Sequence, residues 1–303
     1  MLSRDKENSE GPWSHAALTS RIDESATHTR YEAGSPNESE LAAYDYGIGS
    51  GIEPGAQRDL AVVFGMTPEL IRLALKRFSR VIVLDRNIEA IELYKDWLPR
   101  DAQERLTILC EDWFELQSFL PRPPDAILGD GIFGNLPDLE THGRLLRQLL
   151  GALAPNAPLI VRKALIPRAF DPETERFETL LERHRRGELD ASEFGFATRL
   201  LGHSELSYDP ENFVLHNART FASCEDSYRN GLLKQSEWAA IRRYFFEGDN
   251  CILPQEIWEQ ELAQAGFDFI EHRCYGKDWY RYYPVYACRR RTLPSSDENS
   301  ESP

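Results

Sequence analysis

Residues 59–70 read DLAVVFGMTPEL and residues 81–87 read VIVLDRN. Each stretch opens with a short, β-branched apolar run of the kind that forms a strand buried on both faces, and each run stops at a polar turn. After the first run, Gly65 permits close backbone approach, Thr67 stands at an N-cap position, and Pro68 suits the first helical position. Leu70, Ile71, Ala74, Leu75 and Phe78 then recur every three or four residues, which is a helix face packed on a sheet. Strand, turn and helix in that order make a βα unit, whose ligands bind outside the carboxyl end of the strand.

Working outward, the same pattern repeats. Leu106–Cys110 (LTILC), Asp125–Leu128 (DAIL) and Leu159–Val161 (LIV) read as further strands. Helix faces are carried by Ile88, Ile91, Tyr94 and Leu98, and again by Leu139, Leu145, Leu146, Leu149, Leu150 and Leu153. Alternation of this kind predicts an α/β, Rossmann-like sheet that is mostly parallel and covered on both faces. From Asp171 to about Phe246 the periodicity stays helical, with Asp171-Pro172 and Asp209-Pro210 each read as an N-cap followed by Pro at N1. A last helix begins near Pro254 and stops at Gly266. Phe267–Ile270 and Tyr280–Cys288 follow as two strands, Pro284 marking a bulge or a strand start. The expected organisation is a mobile tail over 1–25, a core with an N-terminal cap over 26–170, a helical insertion or lid over 171–255, the last helix and two strands over 256–292, and a second tail over 293–303.

The chain has 303 residues and a formal net charge of −15, a balance that disfavours a nucleic-acid or anionic-membrane partner and leaves small molecules and peptides open. Neither a membrane-spanning run nor a secretory signal is read, so a cytoplasmic location is expected. The five cysteines are scattered and never spaced as CxxC, and the histidines show no HxxxH or HExxH spacing. Buried small apolar cysteines and no metal site are therefore expected.

The residues that follow each strand are distinctive. Glu69, in the first helical turn, opposes a pyrophosphate there but could hold an ammonium group. Asp85 stands 20 residues after Gly65, a spacing at which a carboxylate can accept from ribose hydroxyls. Glu111-Asp112-Trp113 offers a carboxylate and an aromatic face for a base, and Asp130-Gly131 borders the same crevice.

VVFGMTPEL, VIVLDRN, CEDW and ILGDG, in that order, resemble the class I S-adenosylmethionine-dependent methyltransferases, in the variant whose first motif is LGxTPEL-like rather than glycine-rich. The resemblance covers roughly residues 31–165. It implies a sheet with an antiparallel last strand and S-adenosylmethionine as cofactor. Gly65, Met66, Thr67, Pro68 and Glu69 would surround the methionyl part, with Met66 pointing away. Asp85, with the adjoining Arg86, would hold the ribose, Asp112 and Trp113 the adenine, and Asp130 and Gly131 the edge of the methyl-transfer cavity. Tyr31, Ser35 and Pro36 stand where the family has a Ser-Pro segment closing over the cofactor; alternatively, Ser35–Glu38 only starts a helix carrying Leu41, Tyr44 and Tyr46. The departure is the single glycine where the commoner motif has three.

The implied function is methyl transfer to a small organic molecule or a peptide side chain. Should the acceptor be a hydroxyl, Asp130 and His203 are the candidate catalytic bases, with His142 and His216 behind them. Phe194, Phe196, Tyr208, Phe213, Tyr228, Trp238, Tyr244, Phe245, Phe246, Trp279, Tyr280, Tyr282 and Tyr283 supply the aromatic surface from which an acceptor pocket would be built. The competing readings are a noncatalytic cofactor-binding scaffold and a nicotinamide-dependent oxidoreductase, the latter disfavoured by the missing GxGxxG and by Glu69.

Overall fold

The computed structural model describes residues 18–19, 22, 30, 32–50, 58–245 and 248–292. Of the two predicted tails, all but Leu18, Thr19 and Ile22 lie outside the described residues, as does Tyr31.

Seven strands make the main sheet: β1 (Leu60–Phe64), β2 (Arg80–Asp85), β3 (Leu106–Cys110), β4 (Ala126–Asp130), β5 (Leu159–Arg162), β6 (Phe267–His272) and β7 (Val285–Arg290). Their order is β6-β7-β5-β4-β1-β2-β3. The pairs among β1 to β5 are parallel, and β7 runs antiparallel to both β5 and β6. This is the expected Rossmann-like sheet with an antiparallel last strand. Strand order reverses between β1 and β4, the switch point at which such sheets open a crevice. Pro284 immediately precedes β7, so of the two readings of that proline the strand start is the correct one. The expected strand from Tyr280 is a 3₁₀ turn, Asp278–Arg281, instead.

Alternation along β1 divides the core between the two sheet faces. Leu60, Val62 and Phe64 pack with Leu145, Leu146, Leu149, Trp258 and Leu262, which belong to α4 (Leu139–Ala152) and α9 (Gln255–Gln264). Ala61 and Val63 pack with Tyr44 and Ile48 of α1 (Glu38–Gly49), with Leu70, Ile71 and Ala74 of α2 (Pro68–Arg77) and with Ile91 of α3 (Ile88–Tyr94). Cys224, Cys251 and Cys288 are buried as expected, but Cys110 is exposed, because β3 is an edge strand with incomplete cover.

The segment between β5 and α9 carries α5 (Phe177–Arg185), α6 (Ala191–Leu200), α7 (Asn217–Arg229) and α8 (Gln235–Arg242) around a third core that includes Leu180, Phe194, Ile241, Trp279 and Tyr282. It is not helical throughout. Tyr208–Asp209, Val214–Leu215 and Asn250–Cys251 form a small antiparallel sheet. Asp209 accepts from the Glu211 and Asn212 N–H groups in a turn and caps no helix, whereas Asp171 does cap as expected. A side-chain oxygen that bonds its own backbone two residues on makes an Asx-turn as readily as a helix cap, and the hairpin pairing decides between them.

Lys163, directly after β5, is fully buried. Among the described residues its Nζ has no hydrogen-bond partner, and it lies 5.3 Å from the Trp258 ring centroid. Burial pulls its pKa down from 10.5 to about 8. Between those values the unfolded chain binds a proton that the folded chain does not, so this group makes stability rise with pH over that window and costs most below it. Accordingly, Lys163→Met should be more stable than the parent protein at pH 7.5, with an advantage that shrinks by pH 9.5; urea titrations at both values check this. An advantage that did not change with pH would show that Lys163 stays protonated in the folded protein, its pKa not lowered by burial. Among the described residues, no helix is long and apolar enough to cross a membrane.

Candidate active site

A cleft of about 380 Å³ opens at the carboxyl ends of β1, β2 and β4. Gly65, Met66, Thr67, Asp85, Arg86, Trp113, Asp130 and Gly131 all line it, so one crevice collects residues from four successive strand ends. Gly65 has φ +81°, a left-handed conformation that only glycine adopts without cost. That turn aims the Met66 N–H at Asp85 Oδ2 (2.7 Å), while the Asn87 N–H donates to Asp85 Oδ1 (2.8 Å). Burial pushes the Asp85 carboxyl up, and these backbone donors pull it back. The Met66 side chain packs with the core on the α2 side and is 4% exposed. Trp113 stacks on Phe64 (5.8 Å between centroids) and donates its indole N–H to Leu84 O (3.2 Å). Its ring is thereby fixed at the end of β2.

Asp130 belongs to a buried network. Arg162 donates to Asp130 Oδ1 (2.7 Å) and Oδ2 (3.1 Å), to Glu40 Oε1 (2.7 Å), and to the carbonyls of Ala33 and Ser35 (3.3 Å each). One guanidinium thus ties the end of β4 to α1 and to the segment that precedes it. Burial pushes the Glu40 carboxyl up, with Arg162 opposing. With both Asp130 oxygens engaged, the carboxylate is a positioned anion and not a free proton acceptor.

Other predicted residues lie off the cleft wall. Ser35 and Pro36 are buried just behind Ala33 and Gly34, which do line it, and Ser35 contributes its carbonyl to Arg162. The segment also starts α1, through an Asn37 capping box, as the helix-start reading of Ser35–Glu38 expected. Pro68 is buried at N1 of α2. Glu69 is not among the lining residues; it pairs with Arg30 (3.0 Å), and it is Arg30 that lines the cleft. Asp112 accepts from the Phe114 N–H (3.0 Å) and stands 3.5 Å from the exposed Arg86. Thr67 occupies the N-cap position of α2 but makes no side-chain cap bond, so the expected capping contribution of about 1 kcal/mol is absent.

None of the histidine candidates reaches the cleft wall. His203 stacks on Phe177 (4.8 Å) and sits 3.4 Å from both Cys224 Sγ and Ser223 Oγ, inside the core of the insertion. Burial pulls His203 down and pushes the Cys224 thiol up to about 12, which leaves the pair inert. His142 is buried against Phe133 O (2.6 Å), and His216 pairs with Asp249 (2.9 Å).

The second half of the cleft is lined by Phe196, Arg199, Arg243, Tyr244, Asn250 and Tyr283. Three of these aromatics belong to the expected set; Arg199, Arg243, Asn250 and, on the other side, Arg30 and Tyr94 were not anticipated. Arg199 had one local signal: it lies three residues after Phe196 on the same face of a helix whose middle, Phe194–Ala197, is apolar, where a long charged side chain needs a polar partner. It donates to Asn250, whose own amide donates to Gly134 O (2.9 Å).

No family model matches the chain, and no curated protein matches it. Among solved structures, the chain is similar to a putative zinc-dependent alcohol dehydrogenase from Rhodobacter sphaeroides (17% identity, 86% of this chain and 92% of that one, TM-score 0.48). It is also similar to the mitomycin 7-O-methyltransferase MmcR (17% identity, 83% and 54%, TM-score 0.42). A third is human N-acetylserotonin methyltransferase in complex with SAM (16% identity, 84% and 51%, TM-score 0.42). The chain spans about half the length of these two methyltransferases.

Proposed function

We propose that the cleft binds S-adenosylmethionine and that the protein transfers its methyl group to a small organic molecule or a peptide side chain. The observation that carries this reading is the convergence, in one cleft at the sheet's switch point, of the left-handed Gly65, the Asp85 carboxylate, the Trp113 ring and the Asp130–Gly131 strand end. Its volume lies at the lower end of the roughly 300–1,000 Å³ common for cofactor sites. The residues fit the group: Gly65 brings bare backbone to the opening of α2, Asp85 retains acceptor capacity for hydroxyls beyond its two backbone donors, and Trp113 presents a ring held from behind by Phe64. When bound, S-adenosylmethionine supplies an electrophilic methyl group on a sulfonium sulfur. The protein's share is to orient the acceptor and exclude water, a contribution from alignment that needs no acid–base residue. Arg162 serves it by holding the Ala33–Ser35 segment and Asp130 at fixed places on the wall.

Calorimetric titration with S-adenosylmethionine, S-adenosylhomocysteine and NAD tests the reading. Both sulfur compounds should bind and NAD should not. Asp85→Ala should weaken S-adenosylmethionine binding by about 1.5 to 3 kcal/mol through lost charge-assisted hydrogen bonds, including those that shape the Gly65–Met66 turn. Preference for NAD, or unaltered affinity in Asp85→Ala, would sink it.

A further inference from the structure

The inner half of the cleft has a chemistry of its own. Its walls are the rings of Phe196, Tyr244 and Tyr283, with Phe196 and Tyr283 stacked at 5.8 Å and 17°. Tyr283 is clamped from the other side by the Arg162 guanidinium, 4.1 Å from its centroid. Its hydroxyl makes no hydrogen bond among the described residues. It projects over Gly131, so close that a Cβ at position 131 would collide with it. Gly131 therefore leaves room for this hydroxyl at the junction of the two halves of the cleft. Arg199 lies near enough to Tyr283 to bias its ionisation, and Arg243, which acts likewise on the neighbouring Tyr244, also lines the cleft.

We propose that this half is an oxyanion subsite, in which the Tyr283 hydroxyl and the guanidinium groups of Arg199 and Arg243 hold the carboxylate of a planar aromatic acid, the methyl acceptor. The inference rests on the cofactor reading above. Donors of this kind match a carboxylate and leave an amine unpaired. Burial and the nearby Asp130 and Glu40 keep the Tyr283 hydroxyl protonated, so it donates. The carboxylate of Asp130 lines the same cleft but is already held by Arg162, and an anionic acceptor meets Arg199 and Arg243 there. Flat aromatic walls favour a flat ring.

The acceptor also removes the need for a base. One carboxylate oxygen bonds to the methyl carbon while the electron pair of the breaking C–S bond stays on sulfur, giving a methyl ester and a thioether. No proton moves, which agrees with the engaged state of Asp130 and with the placement of His203 outside the cleft wall.

The test is isothermal titration of benzoate, benzamide and benzylamine into the free protein and into protein loaded with S-adenosylhomocysteine. Benzoate should bind the loaded protein at least tenfold more tightly than either neutral or cationic analogue. Tyr283→Phe and Arg243→Gln should each weaken benzoate about tenfold while leaving the affinity for S-adenosylhomocysteine unchanged. Failure of S-adenosylhomocysteine to bind would overturn the cofactor reading and this inference with it. Normal cofactor binding with no preference for benzoate, or with benzoate affinity indifferent to both substitutions, would overturn the inference alone.

Discussion

Arg162→Met should lower the unfolding free energy by about 3–5 kcal/mol, the range seen when one partner of a buried ion pair is removed. Its side chain and that of Glu40 are fully buried, and Asp130 is 6% exposed. Without the guanidinium, two carboxylates share a dry site with no counter-ion, and the Ala33 and Ser35 carbonyls lose their donor. Protonation relieves such a site, so the deficit should be smaller at pH 5 than at pH 7.5. Arg162→Lys should recover only part of the loss, because an ammonium cannot span both carboxylates and two carbonyls as the planar fork does. Urea unfolding of the three proteins at both pH values measures this. A deficit under about 1 kcal/mol, the scale of an exposed pair, would mean that the network tolerates water and that the cleft wall does not depend on it.

Gly65→Val should abolish measurable S-adenosylmethionine binding in a protein that still folds. Within the protein a Cβ at position 65 comes no closer than 4.0 Å to its nearest neighbour, Asp85 Oδ2, so no protein atom opposes it. The cost comes from φ +81°, which a β-branched residue avoids at roughly 1–3 kcal/mol. A valine relieves that strain by turning the peptide, and turning it breaks the Met66 N–H bond to Asp85 that shapes the floor of the cleft. Gly65→Ala should show the same effect at reduced size. Calorimetric titration with parallel thermal melting separates lost binding from lost fold. A valine variant with parental affinity would place the cofactor elsewhere.

Local periodicity made the sheet legible. Each predicted strand of the first half falls within two residues of its observed limits, because a βα unit is encoded by contiguous residues: a β-branched run, a turn, and an apolar stripe at helical spacing. Strand-end residues such as Gly65, Asp85, Trp113, Asp130 and Gly131 were legible for the same reason, since position relative to the strand is itself local. Thr67 and Asp209 show where local reading fails. Both have the right residue type for a cap, yet Thr67 makes no cap bond and Asp209 is taken up by the local turn of its hairpin.

The sequence by itself therefore determined the architecture, the switch-point crevice and most of its outer lining. Only the tertiary structure decided who partners whom across it. Arg162 meets Glu40, 122 residues away, and Ala33, 129 residues away; Tyr280 meets Asn37 across 243. Tyr283 reaches Gly131 only because β7 inserts between β5 and β6 and carries its preceding turn back over the cleft. Nothing in the spacing of these residues records such contacts, because spacing encodes a face of a helix or strand, whereas a charge network or an acceptor wall is set by which faces the packed sheet and the insertion bring together.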